Sequence, residues 1–144
     1  MSQEGDHHSA RVLVVDDSAD DRLLLGTYLR SEGFSDVLNA ESAQEAFHYL
    51  GMPGVVKTPA VELVIMDVLM PEISGIQACK HIRASPGSEN LPILMISAHD
   101  ESEWLDQALA AGATDYIPKP LNRAQLTMPV RAAAKAVPPL LSCW

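Results

Sequence analysis

Cysteine, basic residues and long apolar runs are all scarce in this 144-residue sequence. Its two cysteines, Cys79 and Cys143, lie far apart without the spacing of a metal site. They indicate no disulfide framework, and a reduced, cytoplasmic setting is the simplest interpretation. No apolar run approaches the ~20 residues of a membrane helix, and residues 1–10 lack the apolar segment of a signal peptide. The 10 Lys and Arg against 19 Asp and Glu give a net charge of −9, which argues against a direct nucleic-acid interface.

The composition predicts a single globular domain. Hydrophobic residues make up 47% of the chain, which suffices for a core without disulfide or metal support. We expect residues 11–137 to form the domain, residues 1–10 to be a flexible leader and residues 138–144 to be a C-terminal tail. The tail is apolar, and three alternatives stay open for it: it packs onto the domain, it meets a partner, or it marks a truncated chain.

Strand and helix patterns alternate five times along the chain. Short apolar runs predict strands over residues 11–15, 36–40, 63–66, 91–96 and 114–118. Each run is followed by apolar residues at helical spacing, and Ser42 with Glu45 three residues later predicts a capping box. Such alternation is typical of a doubly wound α/β fold, here a five-stranded parallel sheet of order 2-1-3-4-5 flanked by five helices.

Polar side chains follow four of the predicted strands at their carboxyl ends. Asp16 and Asp17 follow the first strand, Asp67 the third, Ser97 the fourth and Lys119 the fifth. Each has an ordinary structural explanation by itself, such as helix capping or a surface position. Because parallel strands end at one edge of the sheet, we expect all five to meet in one crevice.

This group of residues favours chemistry with a cation and a phosphoryl group. Three carboxylates repel one another unless a cation or protons intervene, and oxygen ligands without His or Cys favour Mg²⁺ or Mn²⁺. A lysine and a hydroxyl opposite such a cation are suited to phosphoryl oxygens. The chain has no glycine-rich phosphate loop, and the nucleophile in the crevice is a carboxylate, which indicates an aspartyl phosphate.

At these residues the chain resembles the receiver domains of response regulators, the CheY-like family of two-component signalling. The resemblance spans residues 11 to 137. It rests on residues 15–17 (Val-Asp-Asp), 66–75 (Met-Asp-Val-Leu-Met-Pro-Glu-Ile-Ser-Gly), 96–98 (Ile-Ser-Ala), 112–116 (Gly-Ala-Thr-Asp-Tyr) and 119–120 (Lys-Pro). The chain would be either a stand-alone receiver or the first domain of a larger regulator.

The resemblance implies a role for each residue of the crevice. Asp67 would accept a phosphoryl group from the phosphohistidine of a sensor histidine kinase or a phosphotransfer protein. The metal ligands would be Asp17, Asp67 and the Leu69 carbonyl, with Asp16 acting through water. Lys119 and Ser97 would contact the phosphoryl group, Tyr116 would be the aromatic switch residue, and the Lys119–Pro120 peptide bond would be cis.

The resemblance also implies an output surface, formed by the fourth helix, fifth strand and fifth helix. A downstream effector protein or domain would bind there, and a homodimer could form through the same face. Trp104 and Leu105 are candidate anchors on it, although a core position is an equal alternative for Trp104. Pro129 lies inside the fifth helix and predicts either a kink or a restart of the helix near Met128.

Two rival functions, a phosphatase and an interaction module that is not phosphorylated, fit the sequence less well than a phosphoacceptor domain. A phosphatase with an aspartate nucleophile would need a second acid–base carboxylate two residues after Asp67, where the chain has Leu69. An interaction module that is not phosphorylated would be expected to lose Asp67, Lys119 or the acidic pair, and all of these are present. The sequence therefore predicts a phosphoacceptor domain that is not an enzyme beyond accepting and hydrolysing its own phosphoryl group.

Overall fold

The computed structural model describes residues 8–52, 60–98 and 102–136, in which strands and helices alternate. The strands are β1 (His8–Val15), β2 (Phe34–Ala40), β3 (Leu63–Asp67), β4 (Ile93–Ser97) and β5 (Asp115–Pro118). The helices are α1 (Ala19–Ser31), α2 (Ala43–Tyr49), α3 (Gly75–Ala84), α4 (Ser102–Ala110) and α5 (Arg123–Ala136). None of these helices is both long and apolar enough to cross a membrane.

All five strands are parallel, in the order β2-β1-β3-β4-β5, which confirms the predicted topology. The register pairs Val15 with Met66, and it pairs Asp67 with Ile96. Ser97 is paired with Pro118 at the next step across the sheet. The carboxyl ends of β1, β3, β4 and β5 are therefore nearly level, and the residues that follow them lie along one edge.

Two apolar layers sandwich the sheet. On one face, Leu13 and Val15 pack with residues of α2, α3 and α4. On the other face, Val12 and Val14 pack with residues of α1 and α5. This alternation follows the two-residue period of a strand, and each fully buried side chain contributes about 1.5–3 kcal/mol. The two layers therefore stabilise the fold from both faces of the sheet.

The helix caps agree with the sequence patterns, with one exception. Ser74 and Gln77 form a reciprocal capping box at α3, and Gly33 has a φ of 101° after α1. At α2, Ser42 accepts from the backbone N–H of Glu45, as predicted. The Glu45 carboxylate, however, accepts from the N–H of Glu41 at 2.7 Å. The second half of the predicted capping box is therefore wrong, because the Glu45 carboxylate accepts from the N–H of Glu41, the residue before the N-cap, and not from that of Ser42.

One alternative for α5 and the expected start of β1 need correction. α5 runs without interruption through Pro129, so of the two alternatives, a kink or a restart near Met128, the restart is wrong. Val130 and Leu126 are buried on the same core layer, and this packing holds both halves of α5 on the sheet. β1 begins at His8, inside the expected leader, and its pairing is irregular between His8 and Arg11. The remainder of the leader, residues 1–7, and the tail, residues 138–144, lie outside the described residues.

A buried carboxylate joins α1 to α5. Glu32, the C-cap of α1, has a side chain only 5% exposed. Its carboxylate oxygens contact Arg123 Nε at 3.1 Å and Arg131 Nη2 at 2.8 Å, and Thr127 donates its hydroxyl at 3.1 Å. Burial alone would raise the pKa of Glu32, but the hydrogen bonds from Arg131, Arg123 and Thr127 outweigh it and lower the pKa. The ionised carboxylate is therefore stabilised in the folded chain.

We expect Glu32→Gln to lower the free energy of unfolding by about 1 kcal/mol near pH 7, because it removes the negative charge that both arginines contact. The loss is small because both arginines are half-exposed and solvent screens the pairs. Since the folded-state pKa is lowered, this contribution is present above the ordinary value of 4.5 and is lost as the pH falls through the folded-state pKa. Urea unfolding at about pH 7 and about pH 3.5 measures both effects. Glu103→Gln, at an exposed position of α4, is the control. An equal loss of unfolding free energy at both pH values would contradict the inference that the ionised Glu32 carboxylate stabilises the fold.

Candidate functional site

The end of β1 fixes the first two carboxylates. The Asp16 backbone N–H donates to Ala40 O at 3.1 Å, which continues the pairing with β2. The Asp16 side chain is fully buried and accepts from Ser18 N at 2.9 Å, while Arg22 Nη1 donates to Asp16 O at 2.7 Å. Asp17 is exposed beside it. One carboxylate is thus held rigidly inside the crevice and the other stands at its rim.

Asp67 is the last residue of β3 and is only 6% exposed. Val68 N donates to Ile96 O at 2.8 Å, which continues the pairing with β4, and Gly75 N donates to Val68 O at 2.7 Å, which closes the loop that follows. The Leu69 backbone N–H is hydrogen-bonded to the Asp67 carboxylate. Leu69 itself is 42% exposed.

The three carboxylates come together as predicted. Asp16, Asp17 and Asp67 each offer an oxygen atom, and these atoms lie within 4.8 Å of one another. Burial, together with the charge of Asp16, raises the pKa of Asp67 to about 6, although Lys119 opposes the shift. Burial also raises the pKa of Asp16. The fold therefore holds acidic groups where ionisation is unfavourable, and a hard divalent cation with oxygen ligands fits this donor set.

Lys119 enters the same crevice from the end of β5. Its backbone N–H donates to Ser97 O at 2.7 Å, and the Lys119–Pro120 peptide bond is cis, as the resemblance implied. The Lys119 ammonium lies 3.7 Å from Asp67 Oδ2 and 3.4 Å from Asp16 Oδ2. Burial alone would lower the pKa of Lys119, but the contacts with its carboxylate neighbours raise it. The lysine is therefore a cation next to the buried aspartates.

The shortest contact of the Lys119 ammonium is to a residue that the sequence did not indicate as part of the site. Asp21 Oδ2 lies 2.8 Å from Lys119 Nζ. In the sequence, Asp20 and Asp21 stand in the first turn of α1, where acidic residues commonly stabilise a helix end. The sequence carries no signal that separates Asp21 from Asp20, since both lie in this first turn.

Ser97 and Tyr116 take the places that the strand pattern predicted. Ser97 is fully buried at the end of β4, next to the end of β3 in the register. Tyr116 is half-buried on β5, beside Met95 of β4, and packs on the core layer under α4. The geometry brings the Lys119 ammonium within 3.7 Å of carboxylate oxygens of Asp16 and Asp67 and places Ser97 on the same edge. The switching role of Tyr116 stays a prediction.

The predicted output surface carries several exposed apolar side chains. Leu105 is 36% exposed and Leu109 is 47% exposed on α4, and Met128 is 76% exposed on α5. Trp104 is half-buried and packs on the core layer. Leu105 and Leu109 are therefore better candidates for contact with a partner than Trp104.

The crevice lies outside the carboxyl ends of the strands, which is where doubly wound sheets bind their ligands, and it brings carboxylates and a lysine together there. Residues 12–131 match the family model of the response regulator receiver domain. A two-component response regulator of Oryza sativa subsp. japonica, ORR1, is 34% identical over 122 residues, which are 83% of this chain and 53% of that protein. The phosphate regulon transcriptional regulatory protein PhoB of Escherichia coli (strain K12) is 32% identical over 130 residues, 90% of this chain and 54% of that protein.

Solved structures give the same result. The chemotaxis response regulator CheY4 of Vibrio cholerae superposes with a TM-score of 0.76 at 28% identity, covering 88% of this chain and 99% of that one. A response regulator receiver protein of Pseudomonas putida has a TM-score of 0.75 at 32% identity, covering 87% of this chain and 98% of that one. The chain belongs to the response regulator receiver domain family of two-component systems. It spans about half the length of the curated relatives described above.

Proposed function

We propose that this receiver domain accepts a phosphoryl group on Asp67 from the phosphohistidine of a sensor histidine kinase or a phosphotransfer protein. One observation supports this assignment above the others. Asp67 is a buried carboxylate at the open edge of the sheet, within reach of two further aspartates and 3.7 Å from the Lys119 ammonium. Such a site can offer a carboxylate nucleophile and can also stabilise the charge that arrives with a phosphoryl group.

The proposed reaction is a direct transfer. An oxygen of the Asp67 carboxylate forms a bond to phosphorus while the phosphorus–nitrogen bond of the donor breaks. The imidazole nitrogen keeps the electron pair of the broken bond and takes up a proton. Lys119 and the Ser97 hydroxyl would contact phosphoryl oxygens, which accounts for a lysine and a hydroxyl at the ends of β5 and β4.

The acidic cluster is suited to Mg²⁺ or Mn²⁺. Asp17, Asp67 and the Leu69 carbonyl would hold the ion, with Asp16 acting through water, and the ion would neutralise phosphoryl charge when bound. The observation that supports this fit is the donor set, because oxygen atoms of Asp16, Asp17 and Asp67 lie within 4.8 Å of one another. Burial also raises the pKa of Asp67 and Asp16, so a nearby cation would favour their ionised forms.

Phosphorylation would act through a shift between two packings of the same fold. The new charge would draw Ser97 and Lys119 towards Asp67, and Tyr116 would turn inward beside Ser97. The face of α4, β5 and α5 would then present Leu105 and Leu109 to an effector protein or domain, or to a second copy of the domain. Hydrolysis of the aspartyl phosphate resets the domain, so we propose a switch and not an enzyme with a released substrate product.

Incubation with acetyl phosphate and Mg²⁺, followed by intact mass measurement, tests this function. We expect a gain of one phosphoryl group that EDTA prevents, because the carboxylate cluster needs the cation. Asp67→Asn is expected to gain none, since an amide oxygen is a poor nucleophile. Asp106→Asn, at an exposed position of α4, serves as the control. An equal gain in wild type and Asp67→Asn would contradict the assignment of Asp67.

A further inference from the structure

The Lys119 ammonium is bound mainly to Asp21. Its distance to Asp21 Oδ2 is 2.8 Å, against 3.4 Å to Asp16 Oδ2 and 3.7 Å to Asp67 Oδ2. Only the first of these is as short as a strong charge-assisted hydrogen bond. In the unphosphorylated chain the lysine is therefore held towards α1, and its contact with the acceptor carboxylate is the longest of the three.

Asp21 has a fixed position from which to hold the lysine. It lies in the first turn of α1, where its backbone N–H donates to the Ser18 side chain at 3.2 Å. Its side chain is 30% exposed and that of Lys119 is 19% exposed, so water only partly screens the pair. Asp21 does not belong to the oxygen cluster of Asp16, Asp17 and Asp67. Its carboxylate therefore acts on the lysine and not on a cation in that cluster.

We propose that Asp21 is a positioning residue that restrains Lys119 and slows phosphoryl transfer to Asp67. This inference rests on the proposed function. To contact a phosphoryl group on Asp67, the ammonium must lengthen its bond to Asp21 and move towards the acceptor. The loss of this bond opposes the gain of the new contact. Asp21 thereby sets how readily the site is phosphorylated, while Asp67 supplies the nucleophile.

The test measures the apparent second-order rate constant for phosphorylation by acetyl phosphate at saturating Mg²⁺. In this reaction an Asp67 oxygen bonds to phosphorus, the bond between phosphorus and the acetyl oxygen breaks, and acetate leaves with the electron pair. Asp21→Asn removes the charged partner of Lys119. Asp20→Asn removes the same charge from the neighbouring exposed position. It is the control, because the loss of any negative charge near the site weakens the repulsion between the protein and the anionic acetyl phosphate. Asp21→Glu restores a carboxylate within reach of the lysine.

We expect Asp21→Asn to react about two- to fivefold faster than Asp20→Asn, the range that a partly exposed ion pair supplies. Asp21→Glu is expected to return to the wild-type rate. Equal rates in Asp21→Asn and Asp20→Asn would overturn the inference, as would a slower rate in Asp21→Asn. Equal acceleration in Asp21→Asn and Asp21→Glu would also overturn it, since the carboxylate would then be irrelevant. A wild type that gains no phosphoryl group on Asp67 would instead refute the proposed function itself.

Discussion

Gly75→Ala is expected to lower the free energy of unfolding by about 3 kcal/mol and to slow phosphorylation about 100-fold. A Cβ atom on Gly75 would lie 2.1 Å from the Asp67 carbonyl oxygen and 2.9 Å from the Asp67 carbonyl carbon. These are backbone atoms, so they cannot rotate away as a flexible side chain does. The added methyl group must therefore displace either the start of α3 or the acceptor residue itself.

Gly26→Ala is the matched control for this substitution. Gly26 lies inside α1, and the nearest side-chain atoms to a Cβ there would be those of the Arg30 guanidinium, at 3.3 to 3.6 Å. Because that group is the end of an exposed, flexible side chain, it can move, and the helix gains up to ~1 kcal/mol from alanine. Urea unfolding and the acetyl phosphate rate measure both variants. A Gly75→Ala domain with wild-type stability and rate would show that the loop after β3 does not set the position of Asp67.

Asp67→Asn is expected to stabilise the unphosphorylated domain by about 2 to 3 kcal/mol near pH 7.5 without divalent cations. Burial and the Asp16 charge raise the pKa of Asp67 from 3.8 to about 6, so ionisation is less favourable in the fold than in the unfolded chain. The folded state then binds more protons, and wild-type stability falls as the pH rises from about 4 to about 6. The asparagine variant lacks this titration and keeps its stability over the same range.

Urea unfolding in EDTA at about pH 4 and about pH 7.5 measures this difference. The two proteins are expected to be nearly equal at the lower pH and to differ fully at the higher one. Added Mg²⁺ should stabilise wild type and leave Asp67→Asn nearly unchanged, because a ligand stabilises only the state that binds it. Asp106→Asn controls for the removal of one charge. Lower stability of Asp67→Asn at both pH values would contradict a strained acidic cluster.

Most of the site was predictable because it depends on strand ends. Asp67 directly follows a continuous apolar run, and the register of β3 and β4 places Ser97 beside it. In a parallel sheet the carboxyl ends of the strands share one edge, whatever their separation in the sequence. The alternation of strand and helix patterns therefore predicted the parallel sheet and the grouping of Asp16, Asp17, Asp67 and Lys119.

The contacts of Asp21 and Glu32 were not predictable in the same way. Asp21 and its partner Lys119 are 98 positions apart, and Glu32 and Arg123 are 91 positions apart. Whether such side chains meet depends on rotamers and on how α1 sits against α5, which the hydrophobic pattern does not specify. Glu32 is a terminal residue of a helix and looks like an ordinary surface residue in the sequence. The long-range contacts of the residues at the two ends of α1 therefore become visible only in the packed structure.

Borohydride reduction of the phosphorylated chain, followed by peptide mass spectrometry, tests the central claim most directly. The reagent reduces an acyl phosphate of aspartate to homoserine and so marks the residue that carried the phosphoryl group. The account predicts conversion of Asp67 alone, in the wild type treated with acetyl phosphate and Mg²⁺. Conversion of Asp16, Asp17 or Asp21 instead, or a phosphoryl group that leaves Asp67 unreduced, would contradict it.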